Sequence, residues 1–200
     1  VTRIEAALRR LAEDLDGLGL VWALVGGLAV STRSEPRLTR DVDVAVPAAD
    51  DAAAEALVFA LQQRGYEVRA TLEQVRVGRL ATVRLRVPRA VAKAVLVDVL
   101  FRSSGIEPEV VSAAERLTVF PGFSVPVART GHLVAMKLLA FDERRRPQDY
   151  DDLTALLRVA DAAEDALLEE ALSLITARGF ERGKDLREEL RRIRERLRGA

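Results

Sequence analysis

The stretch DVDVAV at residues 41–46 alternates acid with valine, and it constrains the fold of this chain more than any other feature. In an extended strand successive side chains point to opposite faces, so Asp41 and Asp43 share one face and Val42 and Val44 the other. The strand is therefore half-buried, and its polar face carries two like charges side by side. A second run, AVLVDVLF at 94–101, is apolar enough for a central strand and carries a single acid, Asp98. A charge at such a position is costly unless something pairs with it. The chain has no cysteine and one histidine, His132, which excludes a disulfide framework, thiolate zinc and a histidine-rich metal site. Three carboxylates converging from adjacent strands make an oxygen-lined site suited to Mg²⁺, and a pair of such ions serves in-line phosphoryl displacement with pyrophosphate leaving. An arginine partner, Arg84 or Arg86, is the alternative account of Asp98.

At 49% hydrophobic residues, 200 residues suffice for one large domain, or for one domain with a helical extension. Basic and acidic residues are equal at 31 each, so no bulk field draws the chain to a polyanion, and any such site is a local patch. No apolar run approaches the ~20 residues of a membrane span, and the N-terminal residues lack the order of a secretory signal. The expectation is a cytoplasmic protein with no membrane partner.

Along the chain, helical spacing of Ile4, Ala7, Leu8, Leu11, Leu15 and Leu18 predicts a first helix ended by Gly17 and Gly19. A strand at 21–25 stops at Gly26 and Gly27, LAVSTR forms a short helix, and SEPRLTR is a loop before the DVDVAV strand. Asp50 or Asp51 caps a helix to about Arg64. Alternating runs on either side of Gly78 predict a hairpin, followed by the Asp98 strand. Pro121, Gly122 and Pro126 mark turns, Thr130 caps a helix running to about Arg145, and Pro147 suits the first turn of the next. Asp161 with Glu164 reads as a capping box, and Leu186, Leu190, Ile193 and Leu197 stripe a final Arg-rich helix. The layout is α+β: a mixed sheet flanked by helices over residues 1–128, and a C-terminal helical part over 129–200 that completes the site.

Residues without a Cβ let backbone N–H groups approach a phosphate, and a helix beginning there points its positive end at the anion. Gly26 and Gly27 are thus candidates to cradle a triphosphate. Lys137 shares an apolar helix face with Leu133 and Phe141, so its ammonium reaches inward, toward the same anion. His132 reads as a first-turn helix residue without chemical role, and the last helix, with its Glu188 and Arg192 pair, as a solvated face.

The order GG, DVD and a distant strand aspartate resembles the DNA polymerase β-type nucleotidyltransferase superfamily. RLTRDVDVAV resembles the R-x-[ST]-x-D-x-D signature of the AbiEii and MenT group of nucleotidyltransferase toxins, and MKLLAFDERRRPQDYDDL, with Lys137, Arg145, Asp149, Asp152 and Leu153, is similar to that group's downstream pattern. The resemblance spans about residues 20 to 155. It implies a nucleotidyltransferase fold with Asp41, Asp43 and Asp98 as ligands of two Mg²⁺ ions and Asp152 as an active-site acid accompanied by Asp149. Gly26, Gly27, Lys137, Arg37 and Arg40 bind or orient the nucleotide. Gly27 stands where the superfamily often has serine, so Ser31, Thr39 or backbone N–H groups serve the phosphates. The implied reaction moves NMP from an NTP to RNA, the tRNA 3′ end above all, stopping translation, with a cognate antitoxin protein as partner. Arg76, Arg79, Arg84, Arg86, Arg89 and Lys93 form a basic surface for the RNA or an ordinary solvent face. A small-molecule acceptor, as in antibiotic nucleotidyltransferases, and a non-catalytic binding module are the alternatives. Thr39, two residues before Asp41, is a candidate for regulatory phosphorylation, since a phosphate there places about −1.5 to −2 of charge beside two acids.

Overall fold

The computed structural model describes residues 2–74, 79–142 and 147–199. Helix α1 (Arg3–Gly17) is capped by the Thr2 hydroxyl, which accepts from the Glu5 N–H, and buries Leu8, Leu11 and Leu15. Strand β1 (Ala23–Val25) is short and wholly buried, and α2 (Gly26–Arg33) begins at the glycine pair itself. After the polar loop come β2 (Asp41–Ala45) and α3 (Asp51–Gln63), with Asp50 as the cap. β3 (Glu67–Gln74) and β4 (Arg79–Arg86) pair antiparallel, and the expected turn residue Gly78 lies outside the described residues. β5 (Leu96–Leu100) holds Asp98 at its centre.

A short α4 (Glu107–Ser112) precedes a hairpin of β6 (Glu115–Phe120) and β7 (Phe123–Val127), neither of which the sequence patterns indicate. Pro121 and Gly122 do form its turn, but Pro126 lies inside β7. It is tolerated because β1 pairs with β7 only at Val127, so no N–H is required of residue 126 on that side. The rest is helical: α5 (Thr130–Ala140), α6 (Pro147–Val159), α7 (Ala162–Ala177) and α8 (Leu186–Arg198). α5 stops at Ala140 rather than near Arg145, which lies outside the described residues.

The N-terminus of α5 is capped across space. Thr130 is its first helical residue rather than its cap; the Gly131 N–H donates to Glu164 Oε2 on α7 at 2.8 Å. Asp161 accepts from the Glu164 N–H as expected, but the Glu164 carboxylate serves Gly131 and Arg129, so the reciprocal half of the capping box is given up for a helix-to-helix tie.

The seven strands run in the order β3-β4-β5-β2-β1-β7-β6. β2 pairs parallel with β5 and antiparallel with β1, which makes the sheet mixed. Two register matches position the site: Asp43 lies opposite Asp98, and Asp98 lies opposite Arg84. Since side chains alternate along each strand, Asp41, Asp43, Asp98 and Arg84 emerge on one face. The other face of β2 buries Val42 and Val44 in a core that continues through Leu138, Leu168 and Leu190 of the C-terminal helices. Among the described residues no helix is long and apolar enough to cross a membrane.

Candidate active site

The chain leaves β1 and enters α2 directly over β2. Gly26 adopts a φ of +64°, and a Cβ there would overlap the Asp43 carboxylate, so only glycine allows this turn so close to the acid. Asp43 is half-buried. Burial, then the charges of Asp98 and Asp41, push its pKa up to about 7, against the opposing pull of Lys137 and Arg84. Asp41 is raised as well, by burial first and by Asp98, with Arg84 and the exposed Arg40 opposing.

Asp98 does not stand free beside them. Arg84 donates from Nε and Nη2 to its two oxygens at 2.8 and 2.6 Å, a bidentate pair, and the acid in turn holds the guanidinium charged, raised above its ordinary range. The arginine foreseen as an alternative partner is thus in place, while Arg86 turns to Glu67.

A second group of charges gathers where α2, α5 and α6 meet. Lys137 Nζ lies 2.7 Å from both Asp149 Oδ1 and Asp152 Oδ2. Arg37, from the loop before β2, reaches Asp152 with Nε at 2.5 Å and Nη2 at 2.7 Å. Asp152 is only 1% exposed. Gly27 makes room for this, since a Cβ on it would lie 2.6 Å from the Arg37 guanidinium and 3.1 Å from Thr39 Oγ1. Ser31 ties the loop down: its hydroxyl donates to Gly27 O at 3.0 Å and accepts from the Arg37 N–H at 3.3 Å. The Thr39 hydroxyl donates to Asp41 O at 3.3 Å. Of the expected residues, then, Asp41, Asp43, Asp98 and Gly26 form one group, and Lys137, Asp149, Asp152, Arg37 and Gly27 an adjoining one. Ser31 and Thr39 bond to backbone, and Arg40 lies at the exposed margin. His132 is buried in the first turn of α5, where burial lowers its pKa.

Among the described residues no three His, Cys, Asp or Glu side chains are arranged to hold a metal ion. Arg84 holds both oxygens of Asp98. The remaining pair, Asp41 and Asp43, still fits a hard divalent cation: both donors are carboxylate oxygens, and Asp43, raised by burial first, is raised further by the like charges of Asp98 and Asp41.

The sequence model of the family described as nucleotidyl transferase AbiEii toxin, type IV TA system, matches residues 7–200. The chain belongs to the AbiEii family. It is accordingly a nucleotidyltransferase toxin by family, the toxin half of a toxin–antitoxin pair. By sequence, no curated protein matches the chain. Among solved structures, the antibiotic-resistance factor ANT(2″)-Ia superposes with a TM-score of 0.56 at 16% identity, over 87% of this chain and 94% of that one. An antigenic nucleotidyltransferase-like protein from Paracoccidioides brasiliensis gives 0.49 at 22% identity, over 90% and 88%. The nucleotidyltransferase toxin MenT4 from Mycobacterium tuberculosis H37Rv gives 0.35 at 13% identity, over 96% and 92%. The AbiEii chain thus shares the nucleotidyltransferase fold, a mixed sheet followed by a helical C-terminal part.

Proposed function

We propose that this AbiEii-family protein is a Mg²⁺-dependent enzyme that transfers NMP from an NTP to RNA in the cytoplasm, with the tRNA 3′ end as acceptor. Blocking that end stops translation until a cognate antitoxin intervenes. The observation that carries the reading is Asp43, a crowded, half-buried carboxylate beside Asp41, pressed against the glycine turn that opens α2.

In the reaction the acceptor hydroxyl oxygen bonds to the α-phosphorus, the bond to the bridging oxygen of the β-phosphate breaks, and pyrophosphate leaves. Asp41 and Asp43 would hold Mg²⁺, which when bound favours the deprotonated acceptor oxygen and offsets charge on the phosphates. Backbone N–H groups at the start of α2, at Gly26 and Gly27, face the phosphates with the positive end of the helix. Lys137 and Arg37, which pair with Asp149 and Asp152, would place N–H donors next to them. The sheet over residues 1–128 bears the metal ligands and the helices over 129–200 the lysine. A phosphate on Thr39 would crowd Asp41 and Arg37 and switch the enzyme off.

The acceptor has one rival. Of the basic side chains considered for RNA, Arg79 pairs with Asp51, Arg84 with Asp98 and Arg86 with Glu67; Arg89 and Lys93 are exposed, and Arg76 lies outside the described residues. So thin a basic rim favours a small-molecule acceptor as the second reading. Incubation with Mg²⁺, total tRNA and each NTP radiolabelled at the α-phosphate separates the readings on a denaturing gel. Label in the tRNA band, absent with a normally folded Asp41→Ala protein, supports RNA. Consumption of NTP without labelled RNA moves the acceptor to a small molecule, and no nucleotide binding at all leaves a non-catalytic module.

A further inference from the structure

Asp41, Asp43 and Asp98 share the outward face of β2, β5 and β4 with Arg84 and with Arg86, whose partner is Glu67 of β3; with that pair cancelling, the formal charges leave a surplus of two negative charges. That surplus matches a single divalent cation. A second divalent ion on the same face would carry it to an excess of two positive charges with Arg84 still in place, or would require Arg84 to release Asp98. Release is disfavoured by geometry: both Asp98 oxygens receive guanidinium N–H groups at 2.8 and 2.6 Å, from a residue fixed directly opposite by the β4–β5 register. The Asp98 side chain is only 14% exposed, so little water is at hand to replace those bonds, whereas Arg84 keeps 42% exposure along its solvent side. A planar fork on a carboxylate is the strongest of the ordinary ion-pair geometries.

We infer that Arg84 stands in for one of two metal ions: it neutralises Asp98 permanently, so the site takes one divalent cation through Asp41 and Asp43, and Asp98 is a positioning residue for Arg84 rather than a metal ligand. The inference rests on the metal-dependent reading above. Its functional consequence is that the charge of Asp98 is offset by a fixed side chain on β4, which does not dissociate with the metal.

The test counts ions and needs no turnover. The intact protein is titrated with Mn²⁺ alone, and bound ion is read from loss of the free-ion electron paramagnetic resonance signal. The wild type is expected to bind one ion per chain, Asp98→Asn also one, and Arg84→Gln, which frees Asp98, two. The Asp43→Asn protein is expected to bind none tightly. Two ions on the wild type, falling to one in Asp98→Asn, overturn the inference without recourse to the Arg84 variant, and one ion on a folded Arg84→Gln protein overturns it as well. Failure of the metal reading itself looks different: Mn²⁺ uptake by the wild type that Asp43→Asn leaves unchanged, or no uptake by any of the proteins, removes both.

Discussion

The two charged clusters beside the start of α2 differ in charge balance. On the helices, Asp149 and Asp152 face Lys137 and Arg37, so acids and bases cancel. On the strands, Asp41, Asp43 and Asp98 share one ion-pair partner, Arg84 on Asp98, with Lys137 and Arg40 acting only from a distance, and burial with mutual repulsion drives Asp43 up to about 7. A balanced buried cluster satisfies itself and acts as a clamp, here fastening the loop before β2 to α5 and α6. An unbalanced one costs stability, and such cost is characteristic of a site kept for binding. The contrast also assigns work to the glycines. Gly26 gives clearance over the unbalanced cluster, and Gly27 gives clearance for the arginine of the balanced one.

Substitutions test the contrast because they push the clusters in opposite directions. The largest effect is expected from Asp43→Asn, which should lower nucleotide transfer by on the order of 10³-fold. The same protein, free of metal, should melt higher than wild type at neutral pH; a lower melting temperature would break the idea of surplus charge. Asp152→Ala leaves Lys137 with Asp149 alone and strands Arg37, and should cost roughly 2 kcal/mol, below the range for a broken buried pair because Arg37 is a third exposed, read from urea unfolding. Wild-type stability in that variant would mean the clamp is dispensable. Gly26→Ala places a Cβ at positive φ against Asp43 and should cost roughly 1–2 kcal/mol in backbone strain. Its transfer rate should fall further than the stability loss explains, since the acid must move.

The smallest expected effect is on the pH dependence of stability. Asp43 titrates near 7 when folded against an ordinary 3.8, so between those values the folded state binds more proton than the unfolded one. Its contribution is therefore greatest at the acid end and is lost as pH rises from about 4 through 7. His132, lowered by burial from 6.5, acts oppositely and favours the fold as pH rises toward its unfolded value. The difference between wild type and Asp43→Asn isolates the first of these. With metal chelated, the wild type should lose about 2–4 °C relative to the variant between pH 6 and 8, the shift that roughly 1 kcal/mol produces in a chain of this size. A flat difference would place Asp43 in a solvated, ordinary setting.

Much of this was legible in the residues. The alternation in DVDVAV put Asp41 and Asp43 on one face, the apolar run around Asp98 put it in a central strand, and the need for a partner pointed to Arg84 or Arg86. The hairpin of β6 and β7 was not legible, because its strands are half-exposed and Pro126 interrupts the pattern expected of a strand. The cap of α5 was hidden for another reason. Thr130 has the right chemistry for a cap, but Glu164 reaches the Gly131 N–H from 33 residues further along the chain. Local propensity yields to a stronger, charged acceptor brought in by packing.

The sequence by itself determined which side chains share a face, that every available metal donor is an oxygen or a lone histidine, and that acids and bases are equal in number. These follow from strand periodicity and composition, which need no neighbour. Only the tertiary structure decided which charge neutralises which. Arg84 meets Asp98 through strand register, and Lys137 meets Asp149 and Asp152 through the packing of α5 on α6. Coulombic pairing depends on distances between segments remote in sequence, and those distances are set by sheet order and helix packing.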